Sequence, residues 1–264
     1  MNTDSVELKQ LTLKEVLVDK KLKIPPYQRI YCWKEKTVSK LLEDIQNIDE
    51  KEKYCIGSII LQKKNDENYD IVDGQQRLVT LAMLFLQLKL DTGISLLDET
   101  FEDSEAQKFI QYNKYIIENF CTRNNFKHPK QLLNSIILNV LILNDSSLDL
   151  AYTFFSNENS HGLPLSDYDL LKAHHLRYVP FEAQQKHLAN RWDKMILSDK
   201  PNDSDYKLYE QALAIYIFRL RKWINFDWWN EGEKYNIKNE FEAASLIDSI
   251  PPFCEHFNYY EPIQ

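Results

Sequence analysis

The spacing of apolar residues changes along the chain, and each period predicts a type of element. In the first third, apolar residues three or four positions apart alternate with short runs rich in Ile and Val. This pattern predicts amphipathic helices mixed with buried strands. The predicted helices are Val6–Leu17, Val38–Ile48 and Gln75–Leu90, and the predicted strands, which form a hairpin, are Tyr54–Gln62 and Tyr69–Val72.

Beyond residue 90 the pattern is mainly helical. A helix start at Pro129 leads into one more apolar run, Ile136–Leu143, which favours a strand. Ser166 and Asp169 have the spacing of a capping box, which marks the start of another helix. The remaining predicted helices are Glu102–Cys121, Leu148–Ser156, Phe181–Leu197 and Asp205–Trp223.

These elements predict an α+β fold with two domains. Residues 1–95 would form a small mixed sheet with flanking helices, and residues 96–264 would form a mainly helical domain. Composition agrees, because 5 glycines and 9 prolines among 264 residues, with 44% hydrophobic content, are typical of a helix-rich globule with a substantial core.

The chain is acidic, with a formal net charge of −8. Phosphate contacts depend on Lys and Arg, so DNA binding would need a local basic patch, a partner or a further domain. The four cysteines form no C-x-x-C pair, which indicates neither a zinc site nor a redox motif and suits a reducing compartment. Without a signal-peptide core or an apolar run long enough for a bilayer, we expect a cytoplasmic protein.

The junction Asp73–Arg77 combines more chemistry than any other segment. Gly74 permits close backbone approach, and the helix that follows begins with unpaired N–H groups, which bind anions. Arg77 can fork onto phosphate oxygens, whereas Asp73 can hold a metal ion or orient a water. Gln75 and Gln76 can orient a water or bind a base or ribose edge. The simpler alternative is an Asp N-cap followed by a turn glycine, and no standard phosphate loop is present.

An aromatic segment with an interleaved arginine precedes this junction. Its two leading prolines exclude a helix interior. On a strand, Gln28 would lie on one face, and aromatic residues with an arginine on the other face would suit base stacking and phosphate contact. The alternative is a core strand whose aromatics pack inward, and a turn near Pro25–Tyr27 would change which side chains share a face. The residues of the aromatic face would be Tyr27, Arg29, Tyr31 and Trp33.

Four motifs, in this order and separation, resemble a single family. They are I-P-P-Y-Q-R-I-Y-C-W at residues 24–33, Y-C-I-G-S-I-I-L at 54–61, I-V-D-G-Q-Q-R-L-V-T-L at 71–81 and N-S-H-G-L-P-L-S-D-Y-D-L-L-K-A at 159–173. Over residues 8–180 the chain resembles the N-terminal domain of GmrSD-type modification-dependent restriction enzymes and related phage-defence proteins. The resemblance implies a core similar to the ParB/sulfiredoxin fold.

The resemblance also implies that this domain binds and hydrolyses a nucleoside triphosphate, with Mg²⁺ as the expected cofactor. In the family, this chemistry is coupled to cleavage of modified or foreign DNA by an HNH-type nuclease domain. Carried over, the hydrolytic residues would be Asp73, Gln75, Gln76 and Arg77. The binding residues would be Tyr27, Gln28, Arg29, Gly74, Asn159 and Gly162.

Two departures from the family leave other functions open. His161 stands where an Arg or Lys is commoner in the family. The other histidines considered form no His-Asn-His arrangement, so we expect the nuclease on a separate subunit or a missing part, or a stand-alone regulator. Alternatives are a non-catalytic sensor of a nucleotide or DNA modification and, third, a nuclease using this pocket. A homo-oligomer also stays open. These other histidines are His174, His175, His187 and His256.

Overall fold

The structure is a computed structural model that describes most of the chain. It covers residues 6–48, 53–90, 93–98, 104–124, 126, 129–144, 148–158, 165–196, 212–224, 226–228 and 237–242. Internal contacts divide the chain into two units. One consists of Met1–Pro25 with Ile30–Asn159, and the other of Pro26–Arg29 with Ser160–Gln264.

A mixed sheet organises the first unit. Its five strands in the described residues are β1 (Val6–Thr12), β2 (Lys21–Lys23), β3 (Tyr54–Lys63), β4 (Asn68–Asp73) and β5 (Ile136–Leu143). Their order is β1-β5-β3-β4-β2, so β5, the last in the chain, lies between the first and the third. β3 is parallel to β5 and antiparallel to β4, whereas β1 is antiparallel to β5 and β2 is parallel to β4.

The helices of the first unit flank this sheet. The α-helices in the described residues are α1 (Leu13–Leu17), α2 (Glu35–Gln46), α3 (Gln75–Gln87), α4 (Ser104–Arg123), α5 (Pro129–Ser135) and α6 (Leu148–Glu158), and Ser95–Leu97 forms a 3-10 helix. The side chains of α3 are apolar on nearly all sides, and Leu78, Leu81 and Phe85 are fully buried. α3 is therefore a core helix, which fixes the position of its first turn.

The predicted α+β class and the predicted hairpin are confirmed by this sheet. The predicted strand Ile136–Leu143 is also confirmed, as β5. Because this apolar run pairs with both β1 and β3, the sheet extends beyond residue 95. The assignment of nucleotide binding to residues 1–95 and of a helical domain to residues 96–264 stays a prediction.

The predicted helix Val6–Leu17 is wrong over its first half. Residues Val6–Thr12 form β1, and only Leu13–Leu17 is helical. Pairing with β5 decides the difference, since an apolar strand far along the chain needs a partner on its outer edge. Thr12 caps α1 through a capping box with Glu15, a sequence signal that places the helix start at residue 13.

The second unit is helical in its described residues. α7 (Asp167–Leu176) begins at the predicted capping box, in which the side chain of Ser166 accepts from the backbone N–H of Asp169. The other helices are α8 (Glu182–Ile196), a π-helix at Ala212–Ile217 and α-helices at Phe218–Ile224 and Ile237–Glu242. A small core of Leu171, Phe218, Ile237 and Phe241 joins them. In the part of the chain that the structure describes, no helix is both long and apolar enough to cross a bilayer.

Candidate functional site

The junction between β4 and α3 turns on Gly74. Its φ of 92° is left-handed, and a Cβ added there would clash with Cγ2 of Ile59 on β3. Just before it, Asp73 pairs with Ile60 while Ile71 pairs with Leu61, so β4 has one residue more than β3 at this point. The irregular end of β4 and the turn at Gly74 therefore allow helix α3 to begin directly after the strand.

The N-terminus of α3 has no side-chain cap. Gly74 occupies the N-cap position, and the first intrahelical bond of the junction runs from Leu78 N to Gly74 O over 3.0 Å. The alternative interpretation of Asp73 as a simple N-cap is therefore wrong. Because the N–H groups of a first turn have no intrahelical acceptors and lie at the positive end of the helix dipole, this end can bind an anion.

Arg77 lies in the first turn of α3 with its guanidinium against β3. Its Nη1 donates to Ser58 O over 2.9 Å, and a Cβ on Gly57 would lie 3.3 Å from the same nitrogen. Gly57, with a φ of 110°, falls where the pairing of β3 with β5 shifts between Cys55 and Ser58. A strand irregularity and the missing side chain therefore make room for the guanidinium.

Arg77 is cationic although its surroundings lower its pKa. Burial lowers its pKa, while the nearby Asp73 and Cys55 raise it, and an arginine stays protonated at neutral pH. The guanidinium has five N–H donors, and Ser58 O is its acceptor among the described residues. The other donors can therefore bind an anion beside the open end of α3.

Gln76 uses both ends of its amide to hold the backbone of the preceding segment. Its Nε2 donates to Ile30 O over 3.0 Å, and its Oε1 accepts from Cys32 N over 2.8 Å. The Gln76 amide thus bonds to the backbone of this segment much as a residue of a neighbouring strand would. Its side chain is buried. The structure therefore gives Gln76 a structural contact with residues 30–32.

A buried hydrogen-bond network continues from Gln76. Its carbonyl accepts from Thr80 Oγ1, which lies 2.8 Å from the hydroxyl of Tyr31. Asn113 of α4 donates both to that hydroxyl and to Trp33 O, over 3.1 and 2.7 Å. Burial raises the pKa of Tyr31 to about 12, so this phenol stays neutral, and the network fixes residues 31–33 against α3 and α4.

Gln75, the neighbour of Gln76, has a buried amide without hydrogen bonds. Its side chain is only 4% exposed, and neither Nε2 nor Oε1 has a hydrogen-bond partner in the described residues. Each buried polar group left unpaired destabilises a fold by about 1–3 kcal/mol. Such groups in native proteins therefore call for an explanation, and a bound ligand is one.

The segment Tyr27–Arg29 belongs to the second unit and is not a strand. The backbone turns at Pro26 and Tyr27, so the predicted alternation of faces is wrong for this stretch. Tyr27 and Gln28 are buried, and Arg29 is partly exposed. The turn follows from the two prolines, which fix φ and remove two N–H donors from any ladder.

Lys172 anchors this segment within the second unit. Its Nζ donates to Gln28 O over 2.7 Å and to the two carboxylate oxygens of Asp193 over 2.9 and 3.0 Å. Only 2% of the Lys172 side chain is exposed, so the charge is fully paired inside the fold. This contact was not predicted from the sequence, although a lone lysine within the apolar run Leu170–Ala173 was a signal for it.

The predicted site residues fall into three groups. Asp73, Gly74, Gln75, Gln76 and Arg77 come together at the start of α3 in the first unit. Tyr27–Arg29 lies in the second unit. Asn159, His161 and Gly162 lie outside the described residues. The roles of all these residues stay predictions.

A metal site made of protein ligands alone is not found in the part of the chain that the structure describes. No group there brings three or more His, Cys, Asp or Glu residues together. Mg²⁺ that arrives with a nucleotide needs only one or two carboxylates, because phosphates and waters complete its shell. Asp73, at the end of β4, is the candidate carboxylate for such an ion.

Comparison with known proteins adds one finding. A family profile described as the GmrSD restriction endonuclease, N-terminal domain, matches residues 13–176, more than half of the chain. The matched range contains the β4–α3 junction, the segment at Tyr27–Arg29 and the motif that begins at Asn159. A comparison with curated proteins finds no match.

Proposed function

Because the chain belongs to the family of GmrSD restriction endonuclease N-terminal domains, we propose that it binds and hydrolyses a nucleoside triphosphate within a DNA restriction system. Membership itself indicates a component of a restriction or defence system. The nucleotide chemistry is the proposal, and the first turn of α3 is its site.

The observation that supports the proposal best is the uncapped start of α3 beside Arg77. Gly74 leaves the end of the helix open, and the guanidinium has donors beyond its bond to Ser58 O. Phosphoryl transfer needs little covalent help from a protein, since positioning and stabilisation of charge on the phosphate oxygens do most of the work. Backbone N–H groups and an arginine fixed in place supply both.

Asp73 completes the proposed site. Its charge lies close enough to Arg77 to offset part of the lowering that burial imposes on the pKa of that side chain. A Mg²⁺ ion bound with the nucleotide would neutralise phosphate charge, and Asp73 would hold it or orient a water. Arg77 and the N–H groups of α3 would bind the phosphate oxygens.

The test is phosphate release by the full chain from each common nucleoside triphosphate with Mg²⁺. Removal of one fixed donor to a transition-state oxyanion lowers kcat by roughly 10²–10³-fold, and we expect a loss of that order for Arg77→Ala and a clear loss for Asp73→Ala. Arg123→Ala, at the exposed end of α4, is the matched control and should behave as wild type. Asp73 and Arg77 variants as active as wild type would exclude this site.

A second candidate is a sensor that binds without turnover. The anchoring of Gln28 by Lys172 favours it, because this contact fixes a polar segment for recognition although neither residue belongs to the proposed hydrolytic group. A thermal-shift screen separates the two functions, since a ligand that binds the native state raises Tm whether or not it is consumed. Tight nucleotide binding with no phosphate release would support the sensor.

A further inference from the structure

The two adjacent glutamines at the start of α3 have opposite hydrogen-bonding states. Gln76 satisfies its donor and its acceptor on Ile30 O and Cys32 N. Gln75 has the same amide, buried to the same degree, with neither atom satisfied in the described residues. Sequence alone treats the pair as equivalent, whereas the structure separates them.

Gln75 is also the first residue of α3. Every Cα–Cβ bond of an α-helix tilts toward its N-terminus, so the side chain of the first residue leads toward the end where the open N–H groups lie. A phosphate oxygen there only accepts hydrogen bonds, so it can satisfy Nε2 but leaves Oε1 unpaired. A water molecule beside the phosphate both donates and accepts, so water and phosphate together satisfy both atoms.

We propose that Gln75 is the catalytic amide that contacts the attacking water, and that Gln76 belongs to the scaffold. This inference rests on the proposed triphosphatase function. Oε1 of Gln75 accepts from the water and Nε2 donates to a γ-phosphate oxygen. The oxygen of the water bonds to the γ-phosphorus as the bond from phosphorus to the β–γ bridging oxygen breaks. The diphosphate leaves with the electron pair, and the proton of the water passes to a phosphate oxygen, since a neutral amide cannot accept it.

The first experiment compares the Tm of three Gln→Met variants of the full chain without nucleotide. Gln75→Met removes an amide that has no hydrogen-bond partner among the described residues, so we expect a Tm equal to or above that of wild type. Gln76→Met breaks two bonds and should lower the Tm. Gln87→Met, at the exposed last residue of α3, is the control and should leave the Tm unchanged. A Tm loss in Gln75→Met as large as that in Gln76→Met would overturn the inference.

The second experiment measures turnover and binding with the same chains, ATP, GTP, CTP or UTP, and Mg²⁺. We expect Gln75→Met to lower kcat by roughly 10²-fold, the lower end of the effect of removing one fixed hydrogen-bond donor to transition-state charge, and to keep the Kd for a non-hydrolysable analogue. Gln87→Met should match wild type in both. An active wild type with an equally active Gln75→Met contradicts this inference alone. A wild type without turnover contradicts the proposed function and this inference with it.

Discussion

Gly74 shows how one residue sets the geometry of the junction. Its left-handed φ lets β4 turn at once into α3, and its missing side chain lets the backbone lie against Ile59. Any other residue at this position would have both a strained left-handed backbone and a Cβ that clashes with Ile59. The open helix end that we assign to phosphate binding therefore depends on a position where only glycine fits.

We expect Gly74→Ala to lower the free energy of unfolding by about 2–4 kcal/mol, because overpacking and a left-handed backbone each contribute about 1–2 kcal/mol or more. Gly93→Ala is the control, since Gly93 has a φ of 85° but an added Cβ there would meet Val18 at an ordinary 3.5 Å. The control should lose only the backbone part, about 1–2 kcal/mol. Urea unfolding measures both, and equal losses would contradict the role of the Ile59 contact.

His175, a buried residue of α7, predicts a pH dependence. Burial, together with His174 and Arg177, lowers its pKa from an ordinary 6.5 to about 3. Between these values the unfolded chain binds a proton that the folded chain does not. The contribution of neutral His175 to the free energy of unfolding is therefore fully present above pH 6.5. It decreases as the pH drops below that value, by about 1.4 kcal/mol per pH unit.

Relative to His175→Gln, wild type should therefore lose about 2 kcal/mol between pH 7 and pH 5. Urea unfolding of both chains at the two pH values measures this difference. His187→Gln, at an exposed position of α8, should keep the pH dependence of wild type. Parallel curves for wild type and His175→Gln would show that His175 does not contribute.

Helices α7 and α8 form a clamp through Lys172 and Asp193. One side chain comes from each helix, and the third bond of the ammonium group holds the backbone of Gln28. The clamp joins two helices and a segment distant in sequence, which fixes how Gln28 and Arg29 are presented within the second unit. A buried ion pair of this kind is better evidence for positioning than for added stability.

We expect Lys172→Met to lower the free energy of unfolding by about 1.5–3 kcal/mol, because it removes the buried charged donor that bonds to Gln28 O and to the partly buried carboxylate of Asp193. The double variant Lys172→Met with Asp193→Leu should be less destabilised than the sum of the single variants. Lys194→Met, at an exposed position of α8, should change little. If the stability losses of the two single variants simply add up in the double variant, the two side chains do not interact.

Helices and strands were predictable where the local sequence pattern determines the type of element. They were not predictable where pairing with a distant strand determines it. Apolar spacing gave α2 and α3, and the Ile-rich runs gave β3, β4 and β5. β2 was not predicted, since three residues, Lys21–Lys23, become a strand only because β4 lies alongside. β1 was read as a helix for the same reason.

The clustering of the candidate site residues was predictable from the sequence, whereas their hydrogen bonds were not. The sequence marked Asp73–Arg77 as a group, because charge, amide and glycine residues crowd one strand–helix junction. It could not show that Gln76 reaches back to residues 30–32 or that Gln75 reaches no partner among the described residues. Both facts depend on distances between parts of the chain that no spacing encodes.

The molecule as a whole is acidic, and this bears on how it would act on DNA. A net charge of −8 opposes association with a polyanion over the whole surface, so a restriction role is best served by a partner or a confined basic area. Nucleotide binding faces no such obstacle, because the start of α3 supplies positive potential locally. The net charge therefore favours a component that binds a nucleotide over a chain that binds DNA by itself.

The strand order also affects how the protein folds while it is being synthesised on the ribosome. β1 emerges first, but its hydrogen-bonding partner is β5, far along the chain. Until Ile136–Leu143 is synthesised, β1 and one side of β3 have unpaired backbone edges, which are templates for aggregation. We therefore expect the nascent chain to depend on holding chaperones over that interval, and the sheet to close late and slowly, as non-local pairing does.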